Sequence, residues 1–373
     1  MDAKIMFLSL SSLDNDSRIL KEINTLINYG YKVGALSVNS ERRFTFENNC
    51  INHNSKKIFG IPGIALLLLY LRIIKKCITF SKEIDIYHCN DLNTLPIGVF
   101  VKLFLKRKVK LVYDAHEFEP NQKPNQNKLS IKLLINIERL LIKFADAVIT
   151  VNDSIANEYV KLYKIKKPAL VLNCPIYQEI KKQNIFREKL NIDKEKIIFL
   201  YQGGLYAGRG LENLIEAFKR INDTNKVLVF LGYGPLQQEI KKISERFQNI
   251  FYHPAVSPDV LLNYTSSADV GLCLIENNCL SYYYCLPNKV FEYILAGLPV
   301  IVSNMPEMRK LIENNKIGII TKGNDTDSII EAIKEINSED IPRYKKNFNH
   351  LAKIYTWGQQ EKVLLDIYKG VSF

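Results

Sequence analysis

The chain alternates short apolar runs with longer stretches of helical period. The first apolar runs are Lys4–Leu10, Lys32–Ser37, Ile84–His88, Lys110–Tyr113, Ala147–Val151 and Ala169–Leu172. Between them the apolar positions recur at helical spacing, as in Ser17–Tyr29, which Gly30 stops. Brief apolar strands that alternate with amphipathic helices predict a parallel sheet covered on both faces. After Pro175 the pattern lapses into polar and charged residues as far as Lys196, which predicts a linker. A second series then follows at Ile197–Tyr201, Val227–Leu231, Ile250–Tyr252, Val270–Leu274, Val300–Val302 and Ile317–Ile320. The chain is therefore predicted to form two doubly wound α/β, Rossmann-like domains, residues 1–175 and 176–355, followed by a last helix near Gln359–Tyr368. Ligands of such sheets bind outside the carboxyl ends of the strands. The expected active site is an inter-domain cleft at those ends.

Length agrees, because 373 residues exceed one ordinary core. With 47% hydrophobic and 24% charged residues the chain is not disordered. Met1-Asp-Ala-Lys leads directly into an apolar strand, so no signal peptide is expected. The run Ile61–Leu71 contains Pro62 and Gly63 and is too short to span a bilayer. Seven scattered cysteines form no Cys-x-x-Cys pair and read as reduced thiols of the cytoplasm. The net charge of +12 favours a polyanion or anionic lipid. Nucleic acid is not expected, since no helix-turn-helix, zinc spacing or aromatic–basic motif accompanies the charge. Basic residues flank two apolar stretches, Lys56-Lys57 to Lys75-Lys76 and Lys128 to Lys143. A helix of that kind can lie on an anionic membrane. For the first stretch, packing on its own sheet is an equal account; for the second it is the simpler one.

Candidate chemistry concentrates in Leu286–Asn304. A helix starts after Pro287, closes at Gly297 and leads into the strand Val300–Val302. Asn288 and Lys289 sit in its first turn, where free N–H groups suit a phosphate. Glu292 follows one turn on, at a reach that suits ribose hydroxyls. On spacing alone, a nucleoside-diphosphate cradle and an ordinary helix–strand unit stand level. Gly203-Gly204 after the strand Ile197–Tyr201 allow close backbone approach to an anion. Arg209, between Gly208 and Gly210, can grip a diphosphate or lie solvated on the surface. Gly232-Tyr233-Gly234-Pro235 ends the next strand as a ligand-side turn or a plain turn into a helix. In the other domain His116 stands in a strand-end loop, Asp114-Ala-His-Glu117, between two acids. Asp91, Asp114 and Glu117 are placed to bind ligand hydroxyls or to orient the imidazole. Asp14-Asn-Asp16 and Asp325-Thr-Asp327 read as helix caps, and no catalytic metal or other cofactor is expected.

The segment Leu-Pro-Asn-Lys-Val-Phe-Glu-Tyr-Ile-Leu-Ala-Gly-Leu-Pro-Val-Ile, starting at Leu286, resembles the donor-binding segment of retaining glycosyltransferases of the GT-B fold, glycosyltransferase family 4 (group 1). Tyr201-Gln-Gly-Gly-Leu-Tyr-Ala-Gly-Arg-Gly resembles the first strand and loop of that family's donor domain. Asp16-Ser-Arg18-Ile, Tyr87-His-Cys-Asn-Asp91 and Val112-Tyr-Asp-Ala-His-Glu117 resemble its acceptor-side loops. The resemblance implies that Glu292 binds the donor ribose. It implies that His116 binds the donor sugar and supports departure of the nucleotide, that Arg209 and Lys289 hold the diphosphate, and that Gly203, Gly204, Gly232 and Asn288 line the donor site. It also implies that a C-terminal helix in 356–373 completes the first domain. The reaction implied is a retaining, metal-independent transfer of a sugar, from a UDP-sugar by best guess, to a bacterial envelope glycan or lipid-linked acceptor. Alternatives on the same fold are a nucleotide-sugar 2-epimerase and a non-catalytic glycan-assembly protein. Three positions depart from the family. Gly204 stands where many members carry arginine, and Arg209 where they carry lysine. Tyr284 stands where a glutamate touches the donor sugar, unless Glu276 or the cluster Tyr282–Tyr284 substitutes.

Overall fold

The computed structural model describes residues 3–38, 48–51, 62–106 and 108–371. Lys56, Lys57 and Ile61 lie outside the described residues. The chain divides into two units. One comprises the residues up to Gln122, 126–172 and those from Gln360 on; the other comprises 123–125 and 173–359.

The first unit is built on strands β1 (Lys4–Leu8), β2 (Lys32–Val38), β3 (Asn48–Ile51), β4 (Ile86–Asn90), β5 (Lys110–Ala115), β6 (Ala147–Thr150) and β7 (Ala169–Leu170). They form one parallel sheet in the order β3-β2-β1-β4-β5-β6-β7. The order reverses direction between β1 and β4, and doubly wound sheets open a crevice at such a point. β1 ends at Leu8 rather than Leu10, because Ser9 and Ser11 join hydroxyls at 2.8 Å and turn the chain. The hydrophobic pattern does not announce β3, whose Asn48-Asn49 pair is polar. Its backbone ladder to β2 supplies the order at this edge. Asp16 caps the helix Ser17–Asn28 by accepting from the Ile19 amide at 3.1 Å. Tyr368, on the helix Trp357–Val371, meets His88 Nδ1 at 2.7 Å, and Glu361 accepts from Thr25 at 2.8 Å. These bonds tie the C-terminal segment to the first unit.

The helix Lys128–Leu141 is turned against the usual pattern. Its buried side carries Glu138, which accepts hydrogen bonds from the phenols of Tyr113, Tyr159 and Tyr163. Its solvent side carries leucines: Leu129, Leu133 and Leu140 are 75%, 59% and 66% exposed.

The second unit holds β8 (Ile197–Gly204), β9 (Lys226–Tyr233), β10 (Ile250–Pro254), β11 (Val270–Cys273), β12 (Val300–Val302) and β13 (Gly318–Ile320). They form a parallel sheet in the order β10-β9-β8-β11-β12-β13, with its reversal between β8 and β11. Phe199, Tyr201, Phe218, Phe230 and Ile301 are in its core. Asp325 caps the helix Thr326–Lys334 by accepting from Ser328 N at 2.9 Å. Each unit is thus an α/β sheet of the doubly wound type.

Candidate active site

In the second unit the site is built at the end of β8. Gly203 has φ +115°, a region that side chains with a Cβ rarely adopt. It pairs with Gly232 on β9, where a Cβ would come within 1.9 Å of the Gly203 carbonyl oxygen. The two glycines therefore bring two backbones together, and the Lys289 ammonium comes beside them. Lys289 Nζ lies 3.7 Å from the centroid of the Tyr201 ring, and a Cβ on Gly203 would meet it at 3.6 Å. Lys289 belongs to the helix Asn288–Leu295, which starts behind Pro287 with no side-chain cap. The exposed Asn288 opens that helix. Tyr293 pins it to the sheet: its buried hydroxyl lies 3.0 Å from the Leu200 carbonyl and accepts from Gln202 N at 3.2 Å.

Arg209 stacks its guanidinium 4.7 Å from the centroid of the Tyr282 ring. Gly210, at φ +69°, lies so close to the Leu274 carbonyl that a Cβ would sit 2.0 Å from its oxygen. The loop carrying Arg209 is thereby held against the chain after β11. Arg209 and Lys289 act on one thiol, Cys273. Burial raises its pKa, and both cations pull it back. Lys289 thus stands at the end of β8, and Arg209 in the loop that follows it, beside the chain after β11. Gly204 is covered by the ring of Tyr206, 2.7 Å from where a Cβ would stand. Tyr284 pairs with Tyr283 at 5.3 Å between ring centroids, and Glu276 accepts a long 3.5 Å bond from Asn278.

Glu292 is half-buried and accepts a short hydrogen bond from the side-chain amide of Gln202. The carbonyl of that amide accepts from Thr265 Oγ1 at 2.8 Å. Neither Gln202 nor Thr265 stood out in the sequence as a site residue, although Gln202 lies inside the glycine motif.

In the first unit a chain of charged groups follows β4 and β5. His116 Nε2 donates to Asp114 Oδ2 at 3.1 Å, and Nδ1 lies 3.6 Å from Asp91 Oδ1. Burial alone would lower the imidazole pKa; Asp91 and Asp114 outweigh it and raise it to about 9. Asp91 is held at φ +64°, a left-handed conformation costly for a non-glycine residue. Its N–H bonds the Asp114 carbonyl at 2.9 Å, and its own carbonyl accepts from Thr94 N at 3.2 Å. Of the two roles left open for Asp114, an acceptor hydroxyl or the imidazole, its surroundings do not fit the first. Asp114 is fully buried, and Arg18 grips both its oxygens through bonds of 2.9, 3.0 and 3.1 Å. Burial pushes its pKa up, but Arg18 and His116 carry it well below the usual range. Asp114 orients His116 instead. Asp91 is one-third exposed, with a side-chain exposure of 33%, and Glu117 is exposed.

Four further groups were not singled out as site residues, and most of their partners are remote in the chain. Arg18 also lies 3.2 Å from Glu22, and Glu22 lies 3.6 Å from His88. Burial first, then Asp114, raises Glu22 to about 8 against the pull of Arg18. Burial lowers the pKa of His88. Glu119 accepts from Leu92 N at 2.9 Å, and burial followed by Asp91 raises its pKa well above the usual value. Glu22, His88 and Asp114 bring ligand-type atoms within 4.8 Å of one another. Arg18 already fills the cation position between the two carboxylates, so this group does not fit a metal ion.

Comparison with known proteins now decides the class. The family model for group 1 glycosyl transferases matches residues 182–353, and that for Glycosyltransferase Family 4 matches 18–177. The chain belongs to the group 1, family 4 glycosyltransferases. It is similar to the chitobiosyldiphosphodolichol beta-mannosyltransferase of Candida albicans, with 22% identity over 74% of this chain and 67% of the relative. Its fold is similar to sucrose-phosphate synthase from Thermosynechococcus elongatus, with TM-score 0.78 and 16% identity over 98% of each chain. It is likewise similar to HepE of Anabaena solved with UDP-glucose, with TM-score 0.73 and 14% identity over 98% of this chain and 99% of that one. The glycosyltransferase thus has the two-domain α/β GT-B fold.

Proposed function

We propose that this glycosyltransferase takes a UDP-sugar and transfers the sugar, with retention and without a metal, to a hydroxyl of a glycan or lipid-linked acceptor of a bacterial envelope. The observation that carries the donor half is the placing of Lys289 beside the Gly203–Gly232 backbone at the end of β8, with Arg209 in the loop that follows and Glu292 one helical turn from Asn288. Two cations beside an approachable backbone suit a diphosphate, and they offset its growing charge as the sugar leaves. Glu292 accepts from the ribose hydroxyls. His116, held as an imidazolium between Asp114 and Asp91, is a donor to the sugar or leaving group rather than a base at neutral pH. The relatives' names support the substrates: UDP-glucose was bound to one similar protein, and another acts on a diphosphodolichol-linked glycan. Calorimetry with UDP, followed by incubation with UDP-sugars and lipid-extracted acceptor, tests this. A glycosylated product whose new bond keeps the donor's anomeric configuration by NMR supports it. Failure to bind UDP, or conversion of donor alone into a second nucleotide sugar, refutes it.

The same proposal includes a peripheral seat on anionic lipid. Among the described residues no helix is long and apolar enough to cross a membrane. The exposed leucines of Lys128–Leu141 alternate with Lys128, Lys132 and Lys143, all exposed, and Leu67 and Leu71 stand beside Arg72, Lys75 and Lys76 on the helix Pro62–Phe80. Leucines that enter the interface, with lysines for lipid phosphates, are the chemistry of such a seat. Binding to phosphatidylglycerol vesicles at low salt, lost in Leu129→Ser/Leu133→Ser/Leu140→Ser, is expected. Equal sedimentation of both proteins would remove this part.

A further inference from the structure

Gln202 is a polar side chain at the buried end of an otherwise apolar strand. An amide there is costly unless both of its ends are bonded. Both are. The nitrogen donates to Glu292 Oε2, and the oxygen faces the Thr265 hydroxyl at 2.8 Å. The opposite orientation of the amide would set its oxygen against the carboxylate of Glu292, which accepts but does not donate when ionised. Thr265 is itself fully buried, and its hydroxyl also lies 3.0 Å from the Leu261 carbonyl. The helix Pro258–Thr265, the strand β8 and the helix Asn288–Leu295 are thereby linked through three side chains. A glutamate on a helix turn has several rotamers of similar energy. A hydrogen bond from a rigidly held amide selects one.

We infer that Gln202, itself held by Thr265, is a positioning residue that sets the Glu292 carboxylate for a vicinal diol, and so makes the donor site discriminate ribose from deoxyribose nucleotides. This rests on the reading that Glu292 meets the ribose. Gln202 itself acts only through Glu292. An unpositioned Glu292 still offers charge, but it no longer meets two hydroxyls at once. The loss should therefore fall on ligands that carry both hydroxyls.

The test is calorimetric affinity for UDP and for 2′-deoxy-UDP in the full chain. Wild type should favour UDP by about ten-fold, the worth of one charge-assisted hydrogen bond. Gln202→Met, of similar length, should shrink that preference several-fold while leaving 2′-deoxy-UDP binding unchanged. Thr265→Val should do the same more weakly, and Thr265→Ser, which keeps the hydroxyl, should restore the preference. If Gln202→Met does not fold, the Thr265 pair gives the same reading. A preference unchanged in Gln202→Met and Thr265→Val, with Glu292→Ala abolishing it, overturns the inference and leaves the ribose reading standing. Equal weakening of both nucleotides in Gln202→Met reduces Gln202 to a packing role and also overturns it. A Glu292→Ala protein that keeps the preference overturns the ribose reading, and the inference with it.

Discussion

The two units place their functional groups at the same point of the same kind of sheet, yet by opposite means. In the first unit the groups around His116 are ionisable, mostly buried and joined in one network: Arg18, Glu22, Asp114, Asp91 and Glu119. In the second unit the cations rest on aromatic rings, Lys289 on Tyr201 and Arg209 on Tyr282, and the cradle is glycine backbone. A buried ion network fixes one geometry and one protonation pattern, but it fails as a whole when one member is lost. A cation on a ring keeps its charge available to an incoming anion and gives the fold little. The first arrangement suits a group that must hold a proton in place. The second suits a ligand that arrives with its own charge.

The largest effect that would sharpen this contrast is the loss of Arg18. Arg18→Met leaves Asp114 and Glu22 buried without their cation, and should cost the first unit about 3–5 kcal/mol. Hydrogen exchange read over β4 and β5 measures it. Arg209→Met in the second unit should change stability by no more than about 0.5 kcal/mol while weakening UDP. Equal losses from the two variants would erase the distinction.

Next in size are two substitutions that separate binding from turnover. Glu292→Ala should weaken UDP by roughly ten-fold or more, since charge-assisted bonds are each worth about 1.5–3 kcal/mol. His116→Ala should slow turnover and leave UDP affinity nearly unchanged. Calorimetry beside initial rates decides it. Normal turnover of His116→Ala would make that histidine structural.

A smaller effect follows from pH. His116 holds its proton more tightly in the fold, with a pKa near 9 against an ordinary 6.5. Its contribution to stability is complete below about pH 6.5 and is lost as pH rises through about 9. Glu22 is also raised, from 4.5 to about 8, so stability falls again across that window. Asp114 is depressed, and its contribution is lost only in acid. The first unit should therefore show lower protection factors, corrected for intrinsic exchange, at pH 9 than at pH 6, and Glu22→Gln should flatten the part between about 4.5 and 8. Turnover should decline above about pH 9 as His116 is neutralised. Alkaline loosening confined to β8 and β9 would contradict the assignment.

The smallest expected effect is none. EDTA should leave turnover unchanged if Arg209 and Lys289 carry the diphosphate. Activity lost to the chelator and restored by magnesium would show that the two cations are insufficient.

Much of this was legible in the chain because it is local. Among the described residues apolar runs marked every strand except β3, whose Asn48-Asn49 sequence is polar and whose backbone pairs with β2. Pro287, Lys289, Glu292 and Gly297 declare a helix with a lysine in its uncapped first turn and a carboxylate one turn on, since helical spacing fixes which residues are neighbours. Asp16 and Asp325 were recognisable as caps for the same reason. The helix Lys128–Leu141 was not legible: its leucines fit a buried face, but three tyrosines claim Glu138 and turn them outward.

Sequence alone thus determined the alternation of strands and helices, the glycines where backbones must approach, and the residues that share a helical turn, because these follow from local stereochemistry. Only the tertiary structure decided that Asp114 serves His116 rather than a ligand, since Arg18, ninety-six positions away, fills its oxygens. It alone joined Gln202 to Glu292 across ninety positions. Burial and long-range pairing set the charge and orientation of a side chain, and neither is written in the spacing of its neighbours.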